Sequence, residues 1–432
     1  MKRAIISGAT GAVGSALVRN LVSNGVEVLV LARPDSNRNK NIPKNQLITL
    51  RYCSLEGLSE LKNDTMKDYD VFYHLAWAGT SGKERNDKEL QDKNVLYALD
   101  AVNCAKRFGC KKFVGIGSQA EYGRKDEVLT PELSCEPENE YGRAKLEASV
   151  KTKELAQKLG MHFNWVRILS IYGPNDNKNS LISYVIRELK EKRVPQLTPG
   201  EQIWNYLYSK DAADALRLVG DKGIDGKIYV IGNTDSRPLK KHIEELRDIV
   251  APGMALDFGA KEYPDKQVMY LKPDIQEIMA DTGWRPETSF SDGVKDMVQN
   301  ETLIKSIFQF IKFGLVGVSN TAISLGIYYL VIYINKDLYL LGNILGFILS
   351  VLNGFYWNNK YVFQSEGNNN WFRKLMKSYI SYGGSTLLSS ILLYLEVEKF
   401  GISEAIAPLI NLLITVPLNF LVNKKWTFKE EK

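Results

Sequence analysis

Four uncharged apolar stretches crowd the last third of this 432-residue chain: Phe313–Ile334, Leu338–Trp357, Ser378–Leu395 and Ala405–Val422. Crossing the hydrocarbon of a bilayer takes about 17–25 such residues, so each is long enough to span. If the four helices alternate in direction, Lys305, Lys312, Lys360, Arg373, Lys374, Lys377, Lys424, Lys425, Lys429 and Lys432 gather on one side. Only Lys336 and Lys399 fall on the other. Cations collect on the cytoplasmic side of spanning helices. Both chain ends are therefore expected in the cytoplasm, with a multi-pass domain over 301–432 in the cytoplasmic membrane.

Residues 1–300 are richly charged and close to neutral, whereas 301–432 are sparsely charged and basic. The mean hydropathy of -0.21 averages the two and hides the contrast. The first part lacks the basic excess of a nucleic-acid binder. Cys53, Cys104, Cys110 and Cys135 have no CxxC spacing, and His74, His162 and His242 are scattered. Neither a disulfide framework nor a metal site is expected, and the cysteines suit a reducing cytosol. The opening Met1-Lys-Arg-Ala-Ile-Ile-Ser-Gly8 turns glycine-rich too early for a secretory apolar core.

Within residues 1–300 the pattern predicts strands at Arg3–Ile6, Val26–Leu31, Asp70–Leu75, Lys112–Ile116 and Phe163–Ile168, with helices near 88–108 and 141–159. Strands alternating with helices at this spacing imply a doubly wound parallel sheet with right-handed crossovers, a Rossmann-type α/β fold. From 175 to 298 the pattern becomes irregular and proline-rich, as expected of a small C-terminal cap.

Gly8-Ala9-Thr10-Gly11-Ala12-Val13-Gly14 lies between the first strand and its helix. The first glycine permits a tight turn, the second lets backbone N–H groups approach a pyrophosphate, and the third allows close helix–strand packing. The helix N-terminus adds partial positive charge. The loop therefore reads as a dinucleotide site. The second strand ends at Leu31-Ala32-Arg33-Pro34, where a carboxylate would accept from the 2′-hydroxyl of NAD. A guanidinium there can instead pair with a 2′-phosphate, so Arg33 favours NADP(H) over NAD(H).

Tyr141 and Lys145 stand four residues apart, on one helical face. A nearby ammonium favours phenolate, so Lys145 is expected to draw the Tyr141 pKa toward neutrality. The tyrosine can then exchange a proton with a substrate hydroxyl while hydride moves. Ser118, at the end of the preceding strand, supplies a hydroxyl donor.

These motifs, in this order, resemble the extended short-chain dehydrogenase/reductase family, in its NAD(P)-dependent sugar epimerase/dehydratase branch. The likeness covers residues 1–298: Gly8/Gly11/Gly14, His74-Leu75-Ala76, Asn94, Ser118, Tyr141/Lys145, Arg167…Tyr172-Gly173-Pro174 and Asp281-Thr-Gly-Trp-Arg-Pro286. The resemblance implies that Ser118 holds the sugar oxygen, Tyr141 is the acid/base and Lys145 holds the nicotinamide ribose. Thr10, Ala12, Val13, Leu75 and Ala76 would help bind the cofactor, and the substrate would be a nucleotide sugar. It also implies a homodimer through the helices near 88–108 and 141–159.

Two departures narrow the reaction. Sugar 4,6-dehydratases of the family place Asp-Glu directly after the residue matching Ser118; here Gln119-Ala120 stand there. Neither can move the protons of that elimination, which disfavours a 4,6-dehydratase. At Trp204-Asn205-Tyr206 the family usually shows an arginine that clamps the nucleotide diphosphate, in the place of Trp204. Trp204 is thus a substrate-side candidate, with Arg187 or Lys192 as the replacement cation.

Residues 306–429 resemble the GtrA-like family of four-helix membrane proteins, from Phe313-Gly-Leu-Val-Gly-Val-Ser-Asn320 onward. The endings Asn358-Asn-Lys360-Tyr-Val-Phe363 and Asn423-Lys-Lys425-Trp-Thr-Phe428 are alike, which suggests a duplicated helix pair. Asn320, Asn343, Asn353, Asn411 and Asn419 are expected to face the bundle interior. The resemblance implies cell-surface polysaccharide synthesis and movement of a polyprenyl-phosphate-linked sugar across the membrane. Three readings stay open: a nucleotide-sugar epimerase or 4-keto-sugar reductase tied to the membrane, a lipid-linked sugar translocase served by the soluble part, and a dinucleotide-binding regulatory module.

Overall fold

The computed structural model describes residues 1–363, 371–403 and 406–428. Ala405, Lys429 and Lys432 lie outside the described residues, as does the side chain of Lys305. The chain divides into two compact units, Met1–Gln299 and Asn300–Lys432.

In the first unit β1 (Arg3–Ser7), α1 (Ala12–Ser23), β2 (Glu27–Ala32), β3 (Ile48–Tyr52) and β4 (Val71–His74) come first. They are followed by α2 (Lys88–Arg107), β5 (Lys112–Ser118), α3 (Glu140–Lys158) and β6 (His162–Ile168). These strands and β10 (Ile228–Ile231) form a seven-stranded sheet in the order β10-β6-β5-β4-β1-β2-β3, parallel throughout. Parallel strands are covered on both faces, which is why β1, β2 and β4 read as near-continuous apolar runs. One face packs on α1 and α5 (Ser209–Lys222), the other on α2 and α3. The order reverses between β1 and β4, and ligands of such sheets bind at that crevice.

A smaller cap holds β7 (Ser170–Tyr172), α4 (Leu181–Lys190), β8 (Gln196–Leu197), β9 (Ile203–Tyr208), β11 (Ser236–Pro238), α6 (Leu239–Val250) and β12 (Asp257–Phe258). Its sheets, β11-β9-β7 and β12-β8, pack with α4 and α6 around Tyr172, Tyr206 and Phe290. The stretch expected to be cap is therefore not continuous: α5, β10 and α7 (Gln276–Thr282) within it rejoin the main sheet and its layers. β3 escaped the sequence reading because it is an edge strand with no buried residue, Leu50 and Tyr52 both being exposed, so it shows no apolar run.

α8 (Phe290–Ile334) begins in the first unit and ends in the second, which continues with α9 (Tyr339–Trp357), α10 (Trp371–Tyr394) and α11 (Ala407–Val422). Over the described residues each uncharged stretch is thus mostly helix. Ser306–Ile334 and Leu340–Val362 are long and apolar enough to cross a membrane, with mean hydropathy 1.7 and 1.5. α10 starts ahead of its uncharged stretch and carries Arg373, Lys374 and Lys377 near its beginning.

The duplicated endings have structural counterparts. Lys312 donates to the Tyr361 carbonyl at 3.4 Å, and Lys377 to that of Trp426 at 3.3 Å. Phe363 and Phe428 stack on each other at 4.9 Å; Phe355 stacks on Phe428, and Phe420 on Phe363, each at 6.0 Å. Lys312 and Lys377, Tyr361 and Trp426, Phe355 and Phe420, and Phe363 and Phe428 stand at one constant offset in sequence, so the lysine contact of the first helix pair recurs in the second and the phenylalanine contacts between the pairs are reciprocal. Asn353 donates to Asn320 Oδ1 at 2.8 Å, Asn419 to Ser385 Oγ at 2.8 Å and Asn411 to the Ser389 carbonyl at 2.7 Å. Asn343, expected inside, is exposed close to the start of α9.

Candidate active site

The site begins with the turn out of β1. Gly8 has φ +82, and a Cβ there would stand 2.5 Å from the Ala76 nitrogen. On Gly14 a Cβ would stand 2.1 Å from the Gly8 carbonyl oxygen. Only glycine lets β1, α1 and the segment after β4 approach so closely. Gly11 is the N-cap of α1 and offers no side-chain cap, so the N–H groups of the first turn, which have no intrahelical partner, are left for an anion. This cradle and free helix end fit the pyrophosphate of a dinucleotide. Gly8, Thr10, Gly11, Ala12, Val13, Gly14, Arg33, Leu75, Ala76, Tyr141 and Lys145 all line one cavity of about 690 Å³.

Arg33 is exposed at the end of β2, on the rim of that cavity. Sequence reasoning missed a second arginine. Arg38 lies on the 3₁₀ turn Asn37–Asn41 and donates to the Asn175 carbonyl at 3.1 Å. Its guanidinium is 3.9 Å from where a Cβ on Gly11 would be. The same turn holds the glycine loop through Asn41, which donates to the Thr10 carbonyl at 3.0 Å. The signal was present as a run of polar and basic residues after the Arg33 position.

Ser118 closes β5 and caps the turn after it, accepting from the Ala120 N–H at 3.2 Å. Asn139 caps α3 by accepting from the Gly142 N–H at 2.8 Å, which starts the helix so that Tyr141 and Lys145 face β5. Ser118 lies beside Tyr141 and favours its ionised form. Lys145 lies on the same buried face of α3 as Tyr141. Its ammonium donates to the Ile116 carbonyl at 2.7 Å and sits 3.7 Å from the centre of the Trp77 ring. Burial lowers the Lys145 pKa to about 7, with Glu121 opposing. Burial also raises the Tyr141 pKa, while the Ser118 hydrogen bond and Arg85 hold it down. The Lys145 ammonium lies 5.9 Å from the centre of the Tyr141 ring, and the Arg85 guanidinium 4.6 Å from it.

Trp77 and Arg85 are the other side chains sequence reasoning did not single out. Trp77 meets Tyr141 edge-on at 6.3 Å and donates to Gln91 at 2.9 Å. Asn94 both donates to and accepts from the Ala78 backbone, at 2.9 and 3.0 Å, which fixes the segment after β4. His74 shares a hydrogen bond of 2.8 Å with Ser7, and burial lowers its pKa to about 3. Glu121 is fully buried against Arg167 at 2.8 Å and Trp165 at 3.1 Å. In the late motif, Trp284 donates to the Asp211 carbonyl at 3.1 Å and Asp281 pairs with Lys227 at 2.7 Å; these ties hold the fold together away from the cavity.

On the substrate side, Arg187 and Trp204 line a second cavity, of about 580 Å³, together with Tyr184, Lys261 and Gln202. Lys192 is exposed and is not in that lining. Ile171 and Asp176 line both cavities, so the two adjoin at these residues. Burial raises the Asp176 pKa.

Residues 4–232 match the model of the NAD dependent epimerase/dehydratase family, and residues 312–428 that of the GtrA/DPMS transmembrane domain. Among curated proteins, CDP-abequose synthase of Salmonella typhimurium is 23% identical over 310 residues, covering 68% of this chain and 97% of the relative. UDP-glucuronic acid decarboxylase 1 of Arabidopsis thaliana is 24% identical over 318 residues, covering 69% of each. Among solved structures, UDP-glucose 4-epimerase from Thermotoga maritima superposes with a TM-score of 0.62 at 21% identity, covering 70% of this chain and 99% of that one. DesIV, a dTDP-glucose 4,6-dehydratase from Streptomyces venezuelae with NAD bound, gives 0.62 at 21%, covering 69% and 96%. These superpositions agree with the fold of the first unit.

Proposed function

The chain belongs to the NAD dependent epimerase/dehydratase family and carries a GtrA/DPMS transmembrane domain behind its enzyme unit, and from this premise we propose that it reduces a 4-keto nucleotide sugar with NADPH at the cytoplasmic face of the cell membrane. The observation that carries this reading is the placement of Tyr141 and Lys145 on the wall of the glycine-loop cavity, with Ser118 beside Tyr141 and favouring its ionised form. The bound nicotinamide supplies reversible hydride exchange with the sugar carbon. Ser118 holds the sugar oxygen, and Tyr141 gives it a proton or takes one away. Lys145, anchored by the Ile116 carbonyl, is assigned to the nicotinamide ribose. Arg187 and Trp204 are assigned to the nucleotide side, since both line the adjoining cavity.

Arg33 and Arg38 on one cavity wall support NADP(H), because two guanidinium groups suit a 2′-phosphate. The 4,6-dehydratase reaction remains disfavoured: Gln119 and Ala120 follow Ser118, and Glu121, the one nearby carboxylate in that turn, is committed to Arg167. The second reading, an epimerase that recycles its own hydride, needs only the same three side chains. The membrane unit is assigned to surface-glycan assembly, presenting or moving a polyprenyl-phosphate-linked sugar. A homodimer through α2 and α3 is supported by the exposed apolar side chains of Leu96 and Val150 on them.

The test is to purify the full chain in detergent, denature it, identify any released dinucleotide, and titrate NADH against NADPH. An empty protein that prefers NADPH is the expected result. Stoichiometric NAD+ carried through purification would favour the epimerase, and binding of neither would favour a regulatory module.

A further inference from the structure

β5 carries glycine at two alternate positions, Gly115 and Gly117. Glycine weakens a strand interior and marks a place where another group comes close. Here those groups are on β6 and in the turn after β5. Gly115 lies opposite Trp165, and Gly117 opposite Arg167. A Cβ on Gly115 would stand 2.3 Å from the Trp165 ring, and one on Gly117 would stand 2.4 Å from Glu121 Oε1. The room so left holds the buried Glu121 carboxylate. Its Oε2 accepts from Arg167 Nε at 2.8 Å. Its Oε1 accepts from Trp165 Nε1 at 3.1 Å and from the Ser118 N–H at 2.8 Å. Arg167, also buried, donates further to the Tyr122 hydroxyl and the Pro131 carbonyl, each at 3.0 Å. Glu121, Trp165 and Arg167 line neither of the two cavities. Apolar side chains of similar volume in place of a buried ion pair are often neutral or stabilising, so stability does not account for this one.

We propose that Glu121 and Arg167 are positioning residues for Ser118, a buried pair whose work is to fix that one hydroxyl at the end of β5. The proposal rests on the reading of Ser118 as the side chain that holds the sugar oxygen. The carboxylate takes the Ser118 N–H, while the Ser118 hydroxyl accepts from the Ala120 N–H at 3.2 Å, so backbone and side chain are fixed reciprocally. A hydroxyl whose oxygen already accepts within its own turn keeps its proton for an acceptor outside that turn. Ser118 is thereby set as a hydrogen-bond donor, which is what a keto or alkoxide oxygen of the sugar requires. Arg167 and Trp165, two residues apart on β6 and so on one face of it, hold the carboxylate from behind. The carboxylate of this turn is spent on geometry and moves no proton of the substrate.

The test uses the full chain in detergent, with NADPH and a panel of UDP-, CDP- and dTDP-linked 4-keto-6-deoxyglucose as probes. Glu121→Leu combined with Arg167→Met removes both charges together, which avoids leaving one of them buried and unpaired. Dinucleotide binding and KM should stay close to wild type. The expected loss is in kcat, about 10-fold or more, since a displacement of about 1 Å at a reacting group can cost about 10²-fold. In a Ser118→Ala background the same double replacement should cost no further turnover, because it acts through that side chain. A kcat within about twofold of wild type, or an equal loss in the Ser118→Ala background, overturns the proposal. Amide hydrogen exchange on the cofactor-free wild type reads the anchor with no variant and no turnover. The Ser118 amide should exchange as slowly as the interior amides of β5, and fast exchange there overturns the proposal. Slow exchange in a chain that reduces no member of the panel would fail the functional reading and leave the anchor in place.

Discussion

The two units bury polar groups in opposite ways. In the first, the interior is apolar and its few buried charges have individual, non-repeating partners: Glu121 is 0% exposed against Arg167, and Lys145 is 4% exposed under the Ile116 carbonyl. In the second, the outside is apolar, with Leu413 77% and Leu315 67% exposed, while Asn358 and Asn423 are 0% exposed. Its buried amides are neutral, and several of its contacts occur twice at equivalent positions. Water drives the first pattern, because hiding apolar surface is what folds that unit. Lipid is as apolar as leucine and provides no such drive between helices, so small residues and amide hydrogen bonds hold them. A buried charge in the first unit is therefore an expense that asks for a chemical reason. A buried asparagine in the second is sufficiently explained by helix association.

The largest test of that contrast is Tyr141→Phe. If the polar cluster of the first unit exists for chemistry, turnover on an accepted nucleotide sugar should fall by about 10²–10⁴-fold, with dinucleotide binding and thermal stability close to wild type. Isothermal titration and steady-state rates check the two halves of the statement. A loss of stability or of dinucleotide binding, with turnover preserved, would assign Tyr141 to packing.

A smaller effect follows from the buried ammonium. Lys145 has a folded pKa near 7 against an ordinary value of 10.5. Between those limits the unfolded chain holds a proton that the folded chain has released, so wild-type stability rises with pH across that window. Below it the folded state carries the whole cost of a buried charge. Lys145→Met removes the cost, so the cofactor-free variant should be more stable than wild type at pH 6, by a few kcal/mol at most, and the gain should shrink toward pH 10. Unfolding midpoints at pH 6 and pH 9 measure it. A gain that stays constant from pH 6 to pH 9 would mean that Lys145 keeps its proton in the folded protein across that window, so that burial does not lower its pKa.

Much of this architecture was legible in residue order. The parallel sheet showed in apolar runs, because strands covered on both faces have no polar side to blur the pattern. The glycine loop showed because Gly8 and Gly14 each stand where no Cβ fits. The membrane helices showed because lipid tolerates no charge along a span. What stayed hidden was set by tertiary contact. β3 is half-exposed and reads as loop. β10 returns to the main sheet from within an irregular stretch, which no local period announces. Arg38, Arg85 and Trp77 reach the site from turns, and spacing along a helix says nothing about them. The Tyr141–Lys145 spacing correctly put both side chains on the inner face of α3, yet it could not tell that Trp77 and a backbone carbonyl would claim the ammonium.

The smallest expected effect lies in the membrane unit and asks how far its repetition goes. Asn358 and Asn423 end equivalent helices and are both fully buried. Their partners differ: Asn358 donates to Tyr382 at 3.0 Å, on a helix of the other pair, whereas Asn423 donates to Ser381 at 3.3 Å, on a helix of its own pair. Amide hydrogen bonds between membrane helices contribute about 0.6 kcal/mol on average and up to about 1.7. Asn358→Leu and Asn423→Leu should each weaken resistance to SDS-induced unfolding within that range, and neither should alter dinucleotide binding by the first unit. Equal costs would mean that the repeat governs the energetics as well as the geometry. A clearly larger cost at Asn358 would mean that a bond joining the two helix pairs matters more than the symmetry, and that the duplicated halves have diverged where they touch.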